Sequence, residues 1–275
     1  MRAVLAFALG LLVAAPAAAK GRGGDAPAEI LFTFDDGPSL ERTPKVLDSL
    51  DRYGVKAVFF VNGWHFRGDK PEAERAREIL RETARRGHLI GNHTVHHYFL
   101  CGKLGRRLAR EEIVDNAALI ERATGTPPLL FRTPYGSRCP QLKRTLDDLG
   151  IQHTHWDIDP QDWKVLSTKK VRDYIVARLR GLRGRAILLF HDVHEDTVRA
   201  LPQVLEWIVR ENAAREARGE APIRILDYEY LLPPRPAVPP VVDGIGRALI
   251  DQLPLEELGR GLRWFGLRRT FRWSS

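Results

Sequence analysis

The stretch that decides the fold is Ile30-Leu31-Phe32-Thr33-Phe34-Asp35-Asp36-Gly37-Pro38. Its first five residues are apolar apart from Thr33, which is typical of a buried β-strand. Two adjacent carboxylates follow, and the Gly-Pro pair then turns the chain. Neighbouring carboxylates repel each other unless a cation lies between them, so this strand end predicts a divalent metal site beside a second, ionised carboxylate. The alternative is an ordinary surface turn.

Similar apolar runs recur along the chain and alternate with segments of helical periodicity. Further strands are expected at Ala57–Val61, Leu89–Ile90, Leu129–Phe131 and Ile187–Phe190. Helices are expected at Thr43–Tyr53, Pro71–Arg86, Arg106–Ala123, Leu142–Leu149, Lys169–Leu182 and Thr197–Ala217. A strand followed by a helix, repeated, predicts an α/β fold with a parallel sheet and crossover helices. In such a fold a site is built at the carboxyl ends of the strands, where polar residues stand in this sequence.

A histidine cluster follows the third expected strand in Gly91-Asn92-His93-Thr94-Val95-His96-His97. His93 and His97 are four residues apart, so one face of a helical turn would carry both imidazoles. Two imidazoles and one carboxylate suit Zn²⁺ and leave positions open for water and substrate. His96 competes with His97 for this role, and a histidine buried for structural reasons is the alternative.

Three further segments carry polar side chains suited to catalysis. Arg132 ends an apolar run and could orient a carboxylate base, although a structural ion pair is equally compatible. The segment Trp156–Trp163 holds carboxylates bracketed by tryptophans, on which sugar rings can stack. His191 ends the last apolar run, and a buried carboxylate beside it would stabilise its cationic form, as a general acid requires.

Taken in this order, these five segments resemble the motifs of the polysaccharide deacetylases of carbohydrate esterase family 4, the NodB homology domain. The match runs from Leu31 to about Tyr230. The resemblance implies a distorted (β/α) barrel, TIM-barrel-like, with about seven parallel strands and one divalent metal, most often Zn²⁺. It also implies an activity: removal of N-acetyl groups from a polysaccharide of the N-acetylglucosamine type, such as peptidoglycan or a chitin-like polymer, to give acetate and a free amine.

The resemblance also implies how the metal and the base are held. Asp36, His93 and His97 would be the metal ligands. Asp35 would be the catalytic base, and Arg132 would hold its carboxylate. The family often has serine at the position of Thr94, a difference without expected effect because both residues offer a hydroxyl.

Five more residues receive roles from the same motifs. His191 would be the catalytic acid, and Asp162 would tune it. Tyr135 would offer its backbone N–H to the oxyanion of the reaction. Trp163 and Leu189 would line the pocket for the acetyl methyl group.

Two other functions remain compatible with the sequence. The same site could cleave an O-acetyl ester on a polysaccharide such as xylan, and no residue separates an ester from an amide substrate. A non-catalytic glycan- or wall-binding protein could also keep this fold. In that case Asp35→Asn would change no measurable property, whereas an enzyme would lose turnover and keep its metal.

The two ends of the chain differ from the catalytic domain, which we expect at residues 20–232. Residues 1–19 have the charge, apolar run and small residues of a cleavable signal peptide, so we expect a secreted or periplasmic protein. An uncleaved anchor is the alternative. A proline-rich linker at 233–240 leads to a basic, aromatic tail at 241–275. That tail could contact an anionic membrane or the cell wall, or be a packed or solvated appendage.

Charge and cysteine content indicate which partners and which redox compartment the protein suits. A formal net charge of +8 suits a polyanionic wall, an anionic membrane or nucleic acid equally. Export argues against nucleic acid as a partner, and the sequence predicts no oligomeric state. In an oxidising compartment the two cysteines, Cys101 and Cys139, can form a disulfide that borders the cleft, and two unrelated thiols are the alternative.

Overall fold

The structure, a computed structural model, describes residues 26–232. The strands are β1 Glu29–Asp35, β2 Val58–Val61, β3 Leu89–Asn92, β4 Leu130–Phe131, β5 Gln152–His153, β6 Arg185–His191 and β7 Arg224–Ile225. The helices are α1 Thr43–Arg52, α2 Pro71–Arg85, α3 Lys103–Thr124, α4 Pro140–Leu149, α5 Thr168–Arg180 and α6 Glu195–Ala217. The expected signal peptide, linker and tail lie outside the described residues.

The strands form one 7-stranded sheet in the order β5-β4-β3-β2-β1-β6, with β7 paired to the beginning of β1. Every strand pair is parallel. Helices connect the strands, as parallel pairing requires. The expectation of a distorted (β/α) barrel with about seven parallel strands is therefore confirmed.

Successive side chains along the strands point to opposite faces of the sheet, so they belong to two different apolar clusters. Phe32, Phe34 and Phe190 face the helices and belong to the larger apolar cluster. Leu31 and Phe60 point to the opposite side and belong to a smaller cluster inside the barrel. This period of two directs the polar residues at the strand ends to the inner face, because they continue the same alternation.

All six expected helices form, with ends that differ by up to three residues from the expected ones. α1, α2 and α4 each have proline in the first turn, where its missing N–H costs no helix hydrogen bond. α3 is followed by Gly125, whose φ of 78° ends the helix in a left-handed conformation. Its length carries the chain from the histidine cluster back to the start of β4.

A disulfide joins Cys101 to Cys139, as expected, with a Cα–Cα distance of 5.9 Å. It ties the segment before α3 to the residue before α4, and the Gln141 side chain donates a further hydrogen bond to the Arg106 carbonyl. The amino-terminal ends of these two helices therefore form one continuous surface. Within residues 26–232, no helix combines the length and the apolar character needed to cross a membrane.

Candidate functional site

The centre of the site is an ion pair at the end of β1. The Arg132 guanidinium is fully buried and donates from Nη1 to Asp35 Oδ1 at 2.8 Å. It lies 4.1 Å from the centroid of the Phe60 ring. The Thr33 hydroxyl and two backbone carbonyls accept its other hydrogen bonds. A buried charge held in this way fixes the orientation of its partner, so the Asp35 carboxylate has a defined direction.

Asp36, His93 and His97 converge beside Asp35. Their ligand atoms all lie within 4.8 Å of one another. Asp36 Oδ1 is 3.4 Å from His93 Nε2 and 3.2 Å from His97 Nε2, yet it is buried and accepts no hydrogen bond. Burial alone would raise the pKa of Asp36, but the two histidines hold that pKa well below its usual range. The site therefore keeps an ionised carboxylate.

The imidazole of His93 is oriented for metal binding. Its Nδ1 lies 2.8 Å from the Arg132 carbonyl oxygen, which can only accept, so Nδ1 carries the proton. Nε2 faces Asp36 and His97, and in the neutral ring it would offer its lone pair to a cation bound there. An orphaned carboxylate oxygen and an imidazole whose far nitrogen is hydrogen-bonded are the features of a metal site, and this donor set fits a divalent ion.

The loop that carries the histidines is held from two sides. The Thr94 hydroxyl accepts from the His97 backbone N–H at 3.1 Å, and Thr94 N–H donates to Asn92. His96 points elsewhere: its Nδ1 lies 2.6 Å from Oε1 of the buried Glu112, whose Oε2 accepts from the His96 N–H. His96 therefore supports the loop instead of competing with His97.

A second charged pair lies across the site. His191 Nδ1 is 2.7 Å from Asp162 Oδ1, and the other carboxylate oxygen accepts from the His191 N–H and the Thr197 hydroxyl. Burial would lower the pKa of His191, but Asp162 raises it to about 9. The pKa of Asp162 is correspondingly lowered despite its burial. His191 is therefore protonated near neutral pH, with Nε2 4.0 Å from Asp36 Oδ2.

The three remaining expected residues line the approach to this centre. Leu189 is buried on β6, in register with Thr33 and two residues before His191, so it shares the inner face of the barrel. Trp163 is 51% exposed and Tyr135 67% exposed. The ring centroids of Tyr135 and His97 are 4.6 Å apart. The structure thus brings all ten expected site residues to one end of the barrel.

Backbone strain within residues 26–232 is concentrated in the same loops. Every non-glycine residue with positive φ belongs to them: Asp36, Thr94, His97, Tyr135 and Gln161. Such a conformation costs about 1–3 kcal/mol per residue and persists only where the surroundings enforce it. The location of these residues independently marks this end of the barrel as the functional one.

Several supporting residues were not predicted from the sequence. Thr33 accepts a second hydrogen bond from Arg132 at 2.7 Å, Thr197 donates to Asp162, and His65 Nε2 donates to the Asp36 carbonyl at 2.8 Å. Their partners are distant in sequence, so no local pattern identifies them. Glu112 did leave a signal, because a carboxylate at a buried position of an amphipathic helix needs a partner.

Asp192 explains the glycine in the first motif. Its fully buried carboxylate accepts from the Thr43 hydroxyl, and burial raises its pKa to about 7. A Cβ at position 37 would lie 2.6 Å from both Asp192 oxygens. Only glycine therefore fits between the Asp36 turn and this carboxylate.

Comparisons with known proteins agree on one family. The family model for polysaccharide deacetylases matches residues 22–154. The chain is 34% identical over 191 residues to a peptidoglycan-N-acetylglucosamine deacetylase of Bacillus cereus, covering 70% of this chain and 66% of that protein, just under two thirds of its length. It is 32% identical over 173 residues to a chitooligosaccharide deacetylase of Sinorhizobium fredii, covering 62% of this chain and 75% of that protein. A family 4 carbohydrate esterase from Streptomyces lividans in complex with acetate has a TM-score of 0.58 and 28% identity, over 68% of this chain and 90% of that chain.

Proposed function

Because this chain belongs to the polysaccharide deacetylase family, we propose that it removes N-acetyl groups from a polysaccharide of the N-acetylglucosamine type. The products would be acetate and a sugar unit with a free amine. The observation that carries the proposal is the joint placement of a fixed carboxylate, a cation-binding triad and a protonated histidine. Metal-assisted hydrolysis of an amide uses one group of each kind. The relatives named above support the choice of an N-acetylated glycan.

Asp36, His93 and His97 would hold one divalent ion, and Zn²⁺ suits two imidazoles and one carboxylate. When bound, such an ion supplies Lewis-acid chemistry, because it polarises a carbonyl oxygen and lowers the pKa of water. The unpartnered Asp36 Oδ1 and the oriented His93 support this assignment.

Asp35 would be the catalytic base. Arg132 occupies its Oδ1, so the carboxylate keeps one direction, and Oδ2 lies 3.7 Å from His93 Nε2, beside the proposed cation site. This oxygen would accept the proton of the attacking water. Arg132 acts through Asp35 and would hold its carboxylate in the required direction.

His191 would be the catalytic acid, since Asp162 keeps its ring protonated and oriented. Its Nε2 would give the proton to the departing amine nitrogen, which is a poor leaving group until protonated. The Tyr135 backbone N–H would stabilise the oxyanion, a role consistent with the strained φ of 59°. Leu189 and Trp163 would surround the acetyl methyl group.

The test is acetate release from N-acetylglucosamine oligomers and from peptidoglycan, with acetylated xylan as the ester comparison. We expect release that stops on chelation and returns with Zn²⁺. Asp35→Asn should abolish turnover and keep bound metal, while the exposed Asp115→Asn should change neither. Release from the ester alone, or turnover unchanged by Asp35→Asn, would contradict the proposal.

The expected localisation has indirect support only. A polymer of the cell wall lies outside the cytoplasm, so a wall-directed deacetylase would be secreted or periplasmic. We propose this localisation on the substrate and on the signal-like composition of residues 1–19. Loss of residues 1–19 from the exported protein, read by its amino-terminal sequence, is the corresponding measurement.

A further inference from the structure

A set of exposed cations lies beside the site on the joined ends of α3 and α4. Lys103, Arg106, Arg107 and Arg110 stand at positions i, i+3, i+4 and i+7, so they share one face of α3. Arg138 stands next to Cys139, which the disulfide links to Cys101. We call these five exposed residues the basic surface.

No member of the basic surface forms an ion pair with any residue in the described part of the chain. The arginines of α2 differ: Arg75, Arg77, Arg81 and Arg85 all contact glutamates of the same helix. α3 and α4 also begin without an acidic residue in the first turn. Cations at a helix amino terminus oppose the helix dipole, so these charges do not serve helix stability.

The basic surface continues from the rim of the cleft. The His97 ring lies beside Tyr135, and the Tyr135 ring centroid is 6.2 Å from that of Phe99. Phe99 is two residues before Cys101, and Tyr135 is three residues before Arg138. An extended polymer with one sugar at Asp35 and Asp36 would therefore reach the basic surface when it leaves the cleft past these exposed aromatic rings.

We propose that the basic surface binds carboxylates of the glycan whose N-acetyl group occupies the site. The substrate class is then an anionic glycan, in which N-acetylated sugars alternate with carboxylate-bearing units, in preference to a neutral polymer. This inference rests on the proposed deacetylase function. Arginine suits the role because its guanidinium binds carboxylates through two parallel hydrogen bonds.

The test compares two charge-neutralised variants. The first, Lys103→Gln/Arg107→Gln/Arg110→Gln, removes three charges from the basic surface. The second, Arg52→Gln/Arg122→Gln/Arg183→Gln, removes three exposed charges at the opposite end of the barrel, where α1 and α3 end and β6 begins. Each protein is assayed on a neutral N-acetylglucosamine oligomer, on a carboxylate-bearing glycan of the same length, and on that glycan after amidation of its carboxylates.

We expect the first variant to raise KM for the carboxylate-bearing glycan roughly 10-fold with kcat unchanged, since three exposed contacts each contribute a small factor. KM for the neutral and amidated glycans should stay constant, and the second variant should match the wild type. High salt should raise the wild-type KM for the anionic glycan alone. An unchanged KM, or an equal rise in the second variant, would overturn the proposal.

The surface can be tested even where turnover fails. Calorimetric titration of the carboxylate-bearing glycan measures binding without acetate release. If the wild type released no acetate from any glycan, the deacetylase function would be wrong. If the first variant alone then bound the carboxylate-bearing glycan more weakly than the wild type, an anionic glycan would still be supported as the ligand. Equal binding by both variants would exclude an anionic glycan.

Discussion

At the scale of single residues, the Asp162–His191 pair offers the most direct test of the proposed acid. Asp162→Asn keeps the shape of the side chain and removes the charge that raises the pKa of His191. We expect kcat to fall by about 10²–10⁴-fold. Because the acid must be protonated and its pKa would drop, the alkaline limb of the kcat/KM profile should move to lower pH. Rates measured from neutral to alkaline pH give both quantities.

The control for this pair is Asp148→Asn, which removes an exposed carboxylate from α4. It should reproduce the wild-type rate and profile. If Asp162→Asn reduced kcat but left the alkaline limb in place, Asp162 would not be the group that raises the pKa of His191. The metal content of all three proteins should be equal.

The Glu112–His96 contact predicts an effect on metal affinity. Glu112 fixes both the ring and the backbone N–H of the residue before His97. Glu112→Ala should weaken metal binding by up to about 10-fold, less than when a ligand's own partner is lost, because Glu112 contacts the residue before His97. Glu112→Gln keeps an acceptor and should weaken it less. Competition with a chromogenic chelator measures the Kd.

Glu111→Ala is the matched control, since Glu111 is the exposed neighbour on the same helix. Its Kd should equal that of the wild type. Thermal melting of the metal-free proteins distinguishes a local effect from unfolding. An unchanged Kd in a folded Glu112→Ala variant would count against a role for this contact in holding His97.

At the scale of elements, β3 must pass closely over the aromatic ring that supports Arg132. Gly91 is in register with Phe60, and a Cβ at position 91 would lie 2.4 Å from that ring. Gly91→Ala should therefore destabilise the fold by about 1–3 kcal/mol through overpacking. It should also reduce activity, because the Phe60 ring lies against the Arg132 guanidinium.

Urea unfolding and acetate release measure the two effects of Gly91→Ala. Gly181→Ala is the control: no atom lies within 4 Å of the Cβ it would add, and φ is −96° there. We expect a change in stability within about 0.5 kcal/mol. Equal unfolding free energies for the two variants would contradict the packing argument.

Most elements could be predicted from the sequence because their signal is local. The five expected strands became β1, β2, β3, β4 and β6, since branched and aromatic residues mark buried strands. β5 and β7 were missed because each has two residues and includes Gln152 or Arg224, which give no apolar pattern. Such strands are defined by their neighbours in the sheet.

The residues of the site also fall into those with a local sequence signal and those without one. Residues such as Asp36 and His93 stand in dense motifs at strand ends, so motif order indicated them. Thr197 and the His65 ring act through contacts with residues far along the chain, which only folding brings together. His96 illustrates the limit: its spacing alone did not separate it from His97, and in the structure its ring contacts Glu112 instead.

At the scale of the whole molecule, buried histidines should make stability depend on pH. Burial, with Lys56 nearby, lowers the pKa of His88 to about 4, and its Nδ1 accepts from the Ala57 N–H. Between the ordinary value of about 6.5 and 4, the unfolded chain binds a proton that the folded chain excludes. The free energy of unfolding should therefore fall as pH falls through this interval, by roughly 3 kcal/mol at most.

Urea unfolding of the metal-free protein from neutral pH to pH near 4 measures this loss. His88→Asn offers an acceptor in a similar place and cannot titrate, so its unfolding free energy should depend less steeply on pH. Parallel pH dependences for the two proteins would assign the acid sensitivity to other groups. His153, whose pKa burial also lowers to about 4, is the next candidate.

The five left-handed residues of the site loops have a consequence for how this chain can evolve. Each holds a conformation that glycine would adopt with less strain. At about 1 kcal/mol or more apiece, their sum is comparable to the whole stability margin of a domain. Selection for thermal robustness alone would replace them, and Asp36 and His97 would be lost with the strain. Changes that raise robustness without loss of activity must therefore accumulate elsewhere, on the helices and at the opposite end of the barrel.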